Sequence, residues 1–156
     1  MSSTAIGLES RVLNEGYGPG AWHGADLKAA LADVTAAHAF QRPALGRHNI
    51  AEIALHHAYT TRAVWSRLSG RAAEPFVLPG EDWFNVADEL TMAWPQILAI
   101  VEAEQQRLRM LVAGFDDGTA SSPLPDAERF GLILGITCHA VYHAGQIQLI
   151  KRLCAD

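Results

Sequence analysis

The sequence predicts an all-α protein, and the most economical arrangement is a four-helix bundle. Apolar residues recur at spacings of three and four along four long segments, and no stretch alternates apolar and polar residues as a strand does. Capping residues, glycine or proline bound most of these segments. The connection 70–90 is long and has no clear period, which predicts one crossover and an up-down-down-up winding.

The N-terminal part contains one short and one long predicted helix. Residues 1–17 form a short amphipathic pattern, and the Gly/Pro-rich stretch GYGPGAWHG (16–24) predicts a turn. The first bundle helix is predicted to begin at Ala25 and to end before Pro43. Leu27, Leu31, Val34 and His38 fall on one stripe of this predicted helix.

The second helix has the clearest boundaries. Asn49 is a favourable N-cap, and Glu52 three residues later completes a capping box. The helical pattern continues to Gly70, which is typical of the residue that follows a helix end. The segment 70–90 comes next and contains three large aromatic residues, so we expect it to pack against the bundle.

Two further helices follow. The third is predicted over 91–113, with Pro95 near its first turn and Gly114 at its end. The last is predicted over 127–153. We expect Cys138 to be buried in this last helix and Cys154 to be exposed near the chain end.

Composition excludes several classes of function. The 156 residues fit one domain, 1–156, and can bury a core without disulfides. A net charge of −5 and the lack of a Lys/Arg run argue against nucleic acid as a partner. No apolar stretch reaches the roughly 20 residues of a membrane span. The N-terminus does not resemble a signal peptide, so we expect a cytoplasmic protein.

The stretch GITCHAVYHAGQ (135–146) places two histidines four residues apart. They lie on an apolar stripe made of Leu132, Ile136, His139, His143, Ile147 and Ile150. Buried imidazoles need partners for their nitrogens, and a metal ion meets that need directly. The stretch therefore indicates either two ligands of one metal site or two hydrogen-bonded core histidines.

A third ligand has two candidates in the second helix. Zinc sites use at least three protein ligands, and a bundle supplies them from facing helices. The apolar stripe favours His57, whereas His56 lies one turn after Glu52, which can support it as a partner. Periodicity leaves this choice open. Ala140 follows His139, so the pair is not the HExxH motif of a zinc protease.

Two signatures resemble those of the DinB-like superfamily, which includes YfiT-type proteins. They are HNIAEIALHHAY (48–59) and HAVYHAGQIQLIKR (139–152), and GAWHG before the first bundle helix is similar to part of the group. The resemblance implies a four-helix bundle with a three-histidine metal site. The family's second-helix histidine commonly falls four residues after an acidic or amide position and eight after an aromatic one.

Applied to this chain, that register selects His56. Glu52 holds the acidic position, and His48 replaces the usual aromatic residue. The implied ligands are His56, His139 and His143. The implied cofactor is a divalent metal ion, zinc or nickel first and iron or manganese next.

Three functions follow from such a site. The resemblance favours a metal-dependent transferase that activates a low-molecular-weight thiol. A metal-dependent hydrolase, with water in place of the thiol, is the second hypothesis. The third is a non-catalytic, stress-associated metal-binding dimer. Glu52 and Gln146 are the candidate catalytic residues, and we expect a homodimer with a small-molecule substrate.

Overall fold

The computed structural model describes residues 6–155, and regular structure within them is entirely helical. The six helices are α1 (Leu8–Asn14), α2 (Leu27–Leu31), α3 (Ala36–Phe40), α4 (Ile50–Ser69), α5 (Trp94–Asp117) and α6 (Asp126–Leu153). The all-α class is confirmed. The winding of the bundle, its crossover and the single-domain interpretation stay predictions, and residues 1–5 and 156 lie outside the described part.

The expectation of one long helix from Ala25 is wrong, because the chain forms the short helices α2 and α3 there. Asp26 caps α2 through its carboxylate, and Thr35 caps α3 by accepting a hydrogen bond from the backbone N–H of His38. A side-chain oxygen at Thr35 lets the backbone leave the helix and start a new one. His38 consequently lies exposed on α3.

The predicted boundaries of α4 are confirmed. The Asn49 side chain accepts from the backbone N–H of Glu52 at 2.8 Å, and Gly70 takes the left-handed conformation with φ of 68°. Asn49 also donates to the carbonyl of Val86 at 2.8 Å. One buried side chain thus caps the helix and ties down residues 70–93, the segment between α4 and α5, called the 70–93 connection below.

Helix α5 begins at Trp94, three residues after the predicted start at 91, and Pro95 lies in its first turn, as the sequence predicts. The predicted end at Gly114 is wrong, because the helix continues to Asp117 and stops at Gly118, whose φ is 77°. Gly114 instead lies inside the helix, where the turn after the helix packs against it. A Cβ atom built on it would lie 2.7 Å from the Cβ of Ala120, so only glycine allows the following turn to approach this closely.

Helix α6 is the longest, with 28 residues, and begins one residue before its predicted start. Asp126 and Glu128 lie in its first turn and Lys151 and Arg152 in its last, which complements the helix dipole. Among residues 6–155, no helix is both long and apolar enough to cross a membrane.

Buried apolar side chains form two clusters that both include α4 and α6. The first cluster includes Ile50, Ala51, Ile53, Ala54, Leu55 and Ala58 of α4, and Ala140, Ala144, Ile147 and Ile150 of α6. The second cluster comprises Leu13, Val64, Trp65, Leu68, Leu108, Val112, Ile133 and Ile136. Near the boundary between the two clusters, α4 and α6 also carry a set of polar side chains that we call the polar belt. Its members are His56, His57, Thr61, Thr137, His139 and His143.

Both cysteine expectations are wrong. Cys138 is exposed, because it faces away from the stripe that carries His143 and Ile147. Cys154 is buried in the first apolar cluster, since the chain stays against the core after α6 ends.

Candidate metal centre

Three histidines from two helices converge at one point of the polar belt. They are His56 of α4 and His139 and His143 of α6, whose candidate ligand atoms all lie within 4.8 Å of one another. The Nε2 atom of His139 is 3.0 Å from that of His56 and 3.2 Å from that of His143. Nitrogens bound tetrahedrally to one zinc ion at 2.0–2.1 Å are about 3.3 Å apart. The cluster therefore can bind a metal ion; that it does so stays a prediction.

His56 is oriented by the 70–93 connection. Its Nδ1 atom lies 3.0 Å from the backbone carbonyl oxygen of Asp82 and 3.0 Å from its carboxylate. Both are acceptors, so His56 donates from Nδ1, and its Nε2 atom faces the other two histidines. Asp82 has φ of 64°, the one positive value at a non-glycine residue within 6–155. The connection thus adopts a costly backbone conformation where it meets the cluster.

Trp83 covers the same histidine. Its ring stacks between those of His48 and His56, with centroid distances of 3.8 and 3.9 Å and interplanar angles of 8° and 4°. The sequence indicated that the 70–90 segment packs against the bundle, and Trp83 is one residue that does so. Neither Asp82 nor Trp83 was identified as a site residue, because their positions depend on how a loop without periodicity folds back.

His143 is held from within its own helix. Its Nδ1 atom lies 2.7 Å from Oε1 of Gln146, and the amide nitrogen of Gln146 donates to the hydroxyl of Tyr142 at 3.2 Å. Burial lowers the pKa of His143, although the Gln146 hydrogen bond opposes the shift. Gln146 therefore orients a candidate ligand and also borders a cavity. Its role in catalysis stays a prediction.

His57, which the apolar stripe favoured as the ligand, lies outside the three-histidine cluster. Its Nδ1 atom is 3.1 Å from Nδ1 of His139, and its Nε2 atom is 3.2 Å from Oγ1 of Thr61. Burial, reinforced by the neighbouring rings, lowers the pKa of His57 well below its ordinary value and that of His139 to about 4. Both rings are neutral at physiological pH, which is the form that binds metals.

Glu52 is engaged away from the cluster. Its carboxylate accepts two hydrogen bonds from Arg42 at 2.5 and 2.9 Å, one from the backbone N–H of Val86 at 3.1 Å, and contacts Nδ1 of His48 at 2.9 Å. Burial alone would raise the pKa of Glu52, but these hydrogen bonds outweigh it and lower the pKa. Glu52 therefore anchors the 70–93 connection and does not hydrogen-bond His56. Its catalytic role stays a prediction.

The family comparison decides the classification. The family model described as the DinB superfamily matches residues 21–147, most of the chain. The chain belongs to the DinB superfamily. No curated protein and no solved structure matches it. The matched range contains all three clustered histidines of this DinB-superfamily chain and omits α1.

A cavity of about 400 Å³ borders the cluster. His143, Gln146 and Trp83 contribute to its wall, and Arg47 and His48 are the basic residues there. Its remaining lining residues are Pro43, Ile53, Tyr142, Leu149, Ile150 and Leu153. A second cavity of about 470 Å³ lies between α4 and residues 73–81 and includes none of the clustered histidines. The first cavity is therefore the candidate substrate pocket of this DinB-superfamily chain.

Proposed function

We propose that this chain is a metal-dependent transferase that activates a small thiol. The observation that carries the proposal is the convergence of the Nε2 atoms of three histidines. His56 and His143 each direct Nδ1 at an oxygen acceptor, so their Nε2 lone pairs point into the cluster. Nε2 of His139 lies 3.0 and 3.2 Å from these two nitrogens, and a cation among the three would attract all of their lone pairs.

The ligand set defines which ions suit it. Three histidines leave one position of a tetrahedral ion open, as catalytic zinc sites do. Imidazole suits zinc, nickel and iron, so we propose zinc or nickel, followed by iron or manganese. Such an ion, when bound, supplies a Lewis-acid centre that favours loss of a proton from a thiol or from water. Within residues 6–155 the cluster has three members, and no fourth His, Cys, Asp or Glu side chain joins it as the non-catalytic hypothesis would require.

The cavity favours a thiol over water as the activated group. Among the described residues that line it, none is acidic, so it offers no carboxylate as a general base for hydrolysis. Glu52 is occupied by Arg42 and Val86. Arg47 instead supplies a cation, and its guanidinium can bind the carboxylate of an acidic thiol.

The other residues of the cavity bind and orient the two reactants. The apolar wall formed by Ile53, Leu149 and Ile150 accommodates an apolar electrophile and excludes water. Gln146 keeps His143 in its orientation. In the overall reaction the thiol loses its proton, sulfur forms a bond to the electrophilic carbon, and the bond from that carbon to its leaving group breaks.

The proposal is tested with protein purified without a histidine tag. Metal-free protein is reloaded with zinc or nickel and mixed with 3-mercaptopropionate and 1-chloro-2,4-dinitrobenzene, and the thioether product is measured. We expect formation that requires both metal and protein and that is lost in His139→Ala. A metal-dependent hydrolysis of p-nitrophenyl acetate without any thiol transfer would favour the hydrolase instead. The same assay is repeated with cysteine, glutathione and coenzyme A. If none of these thiols gives a metal-dependent product, the transferase is rejected.

A matched pair of thiols tests the role of Arg47. We expect Arg47→Gln to raise KM for 3-mercaptopropionate, because the carboxylate loses its cationic partner. KM for 2-mercaptoethanol, which has no carboxylate, should not change. An equal change in KM for both thiols would show that Arg47 does not bind the carboxylate.

The homodimer also stays a proposal. Light scattering of the same preparation measures the oligomeric state.

A further inference from the structure

His139 differs from the other two clustered rings in its hydrogen-bond partner, which can either donate or accept. His56 and His143 face oxygen atoms, which can only accept. His139 faces another imidazole, with 3.1 Å between its Nδ1 and the Nδ1 of His57. One proton lies between these two nitrogens, and either ring can carry it. If His57 carries it, His139 is protonated on Nε2 and cannot bind a metal ion.

Thr61 decides between the two arrangements. Its hydroxyl donates to the carbonyl oxygen of His57 at 2.8 Å, the shorter of its two contacts with that residue, so its single proton is used there. Towards Nε2 of His57, at 3.2 Å, the same oxygen can then only accept. His57 therefore carries its proton on Nε2, its Nδ1 is bare, and His139 donates to it.

From this geometry we infer that His57 and Thr61 form a hydrogen-bond relay that fixes His139 with Nδ1 protonated and Nε2 free for a metal ion. The relay rests on the proposed metal site. His57 and Thr61 are each 1% exposed, so solvent does not compete for these hydrogen bonds. His57 is a positioning residue, and adjacent histidines on α4 have separate tasks: one contributes to the cluster and the other orients a ring from α6.

The competing explanation is that His57 only fills space between the helices. Two substitutions separate packing from hydrogen bonding. His57→Leu fills the buried position with an apolar side chain and removes the hydrogen-bond acceptor for His139. His57→Asn restores an oxygen acceptor close to the position of Nδ1, so it should recover metal binding that His57→Leu loses.

Threonine offers a matched control. Thr61 and Thr137 are both buried, and each hydroxyl donates to the carbonyl four residues earlier, at 2.8 and 2.7 Å. Of these two hydroxyls, the one on Thr61 also faces a ring nitrogen. Thr61→Val should therefore weaken metal binding, whereas Thr137→Val should not.

The dissociation constant for zinc is measured by competition with a chromophoric chelator, and the cobalt-substituted protein is examined by visible spectroscopy. We expect His57→Leu to weaken zinc binding about 10–100-fold and to shift the cobalt bands, as loss of a partner of a ligating histidine does. His57→Asn should recover at least about tenfold of that loss, and Thr61→Val should lose about tenfold. Circular dichroism confirms that each variant is folded.

Ring-nitrogen NMR of the metal-free protein gives a readout independent of metal binding. We expect His57 protonated on Nε2 and His139 on Nδ1 in the wild type, with a mixture of forms in Thr61→Val. The opposite protonated nitrogens in the wild type would overturn the relay. Equal zinc affinity of the wild type and His57→Leu would also overturn it, as would a zinc affinity of His57→Asn no higher than that of His57→Leu. If the wild type has the expected forms but binds no metal, the proposed function fails and the relay stands.

Discussion

The same two helices meet in two chemically different regions. In the second apolar cluster, Val64 and Leu68 of α4 join Ile133 and Ile136 of α6, and none of these four side chains requires a hydrogen-bond partner. In the polar belt, every histidine ring needs a partner for its nitrogens. Burial of an apolar side chain stabilises the fold by about 1.5–3 kcal/mol, whereas a buried polar ring gains little net free energy. The apolar clusters therefore hold the helices, and the belt is free to serve function.

The largest expected effect comes from the apolar region. Leu68 is fully buried, so Leu68→Ala should lower the free energy of unfolding by about 2–5 kcal/mol. The amount of zinc bound per folded molecule should stay the same, because Leu68 does not belong to the histidine cluster. Urea denaturation and metal analysis measure the two quantities. Arg67→Ala, an exposed neighbour on α4, is the control and should change stability by less than about 0.5 kcal/mol. A loss of zinc from folded Leu68→Ala would show that the two regions are not independent.

The next effect concerns Glu52, which accepts a hydrogen bond from Val86 of the 70–93 connection, beside the polar belt. Glu52→Gln removes the charge that holds Arg42 and should cost about 2–3 kcal/mol at pH 7. The pKa of Glu52 is lower in the folded state than its usual 4.5, so its stabilising contribution is complete above pH 4.5 and is lost as the pH falls through the folded-state pKa.

Urea denaturation of the wild type and Glu52→Gln over a range of pH checks this dependence. The difference in unfolding free energy between them should be constant from pH 7 to about pH 5 and shrink below pH 4.5. Glu81→Gln, at an exposed position of the same connection, should show no such difference. A difference for Glu52→Gln that persists undiminished to pH 3 would contradict the assignment.

A smaller effect tests the close approach at Gly114. Gly114→Ala places a Cβ atom 2.7 Å from the Cβ of Ala120, and we expect a loss of about 1–2 kcal/mol in unfolding free energy. Gly135→Ala is the matched control, since a Cβ atom there meets nothing within 4 Å. That substitution should stabilise α6 by about 0.5–1 kcal/mol. Thermal denaturation measures both, and a stabilised Gly114→Ala would show that the turn yields easily.

The sequence predicted most reliably those features that depend on local spacing. The boundaries of α4 follow from its capping residues, and the start of α6 follows from periodicity to within one residue. The break at Thr35 was missed, because its capping oxygen competes with a helical pattern that continues through it. Gly114 was interpreted as a helix end, although the close contact with Ala120 that explains it arises only in the folded chain.

The candidate site divides in the same way. The approach of His139 to His143 follows from their spacing of four residues on α6. The choice between His56 and His57 does not follow from periodicity, since both are buried. Both rings contact His139, but His56 is the one that joins the cluster with His143, and the family resemblance indicated that choice. Asp82 reaches His56 from 26 residues away through an irregular connection, which no local pattern predicts.

The smallest expected effect concerns that contact. Asp82→Ala removes the carboxylate from Nδ1 of His56, but the backbone carbonyl of residue 82 still accepts at 3.0 Å, so the ring keeps its orientation. The Asp82 side chain is also 61% exposed, which weakens its hydrogen bond. We expect zinc affinity to fall by less than about tenfold, below the loss for His57→Leu, whose acceptor is buried and has no substitute. Asp82→Gly should bind zinc like Asp82→Ala but be more stable, because glycine adopts a φ of 64° without strain. Chelator competition and urea denaturation measure these differences. A larger loss for Asp82→Ala than for His57→Leu would place the main support of the cluster in the connection rather than in the belt.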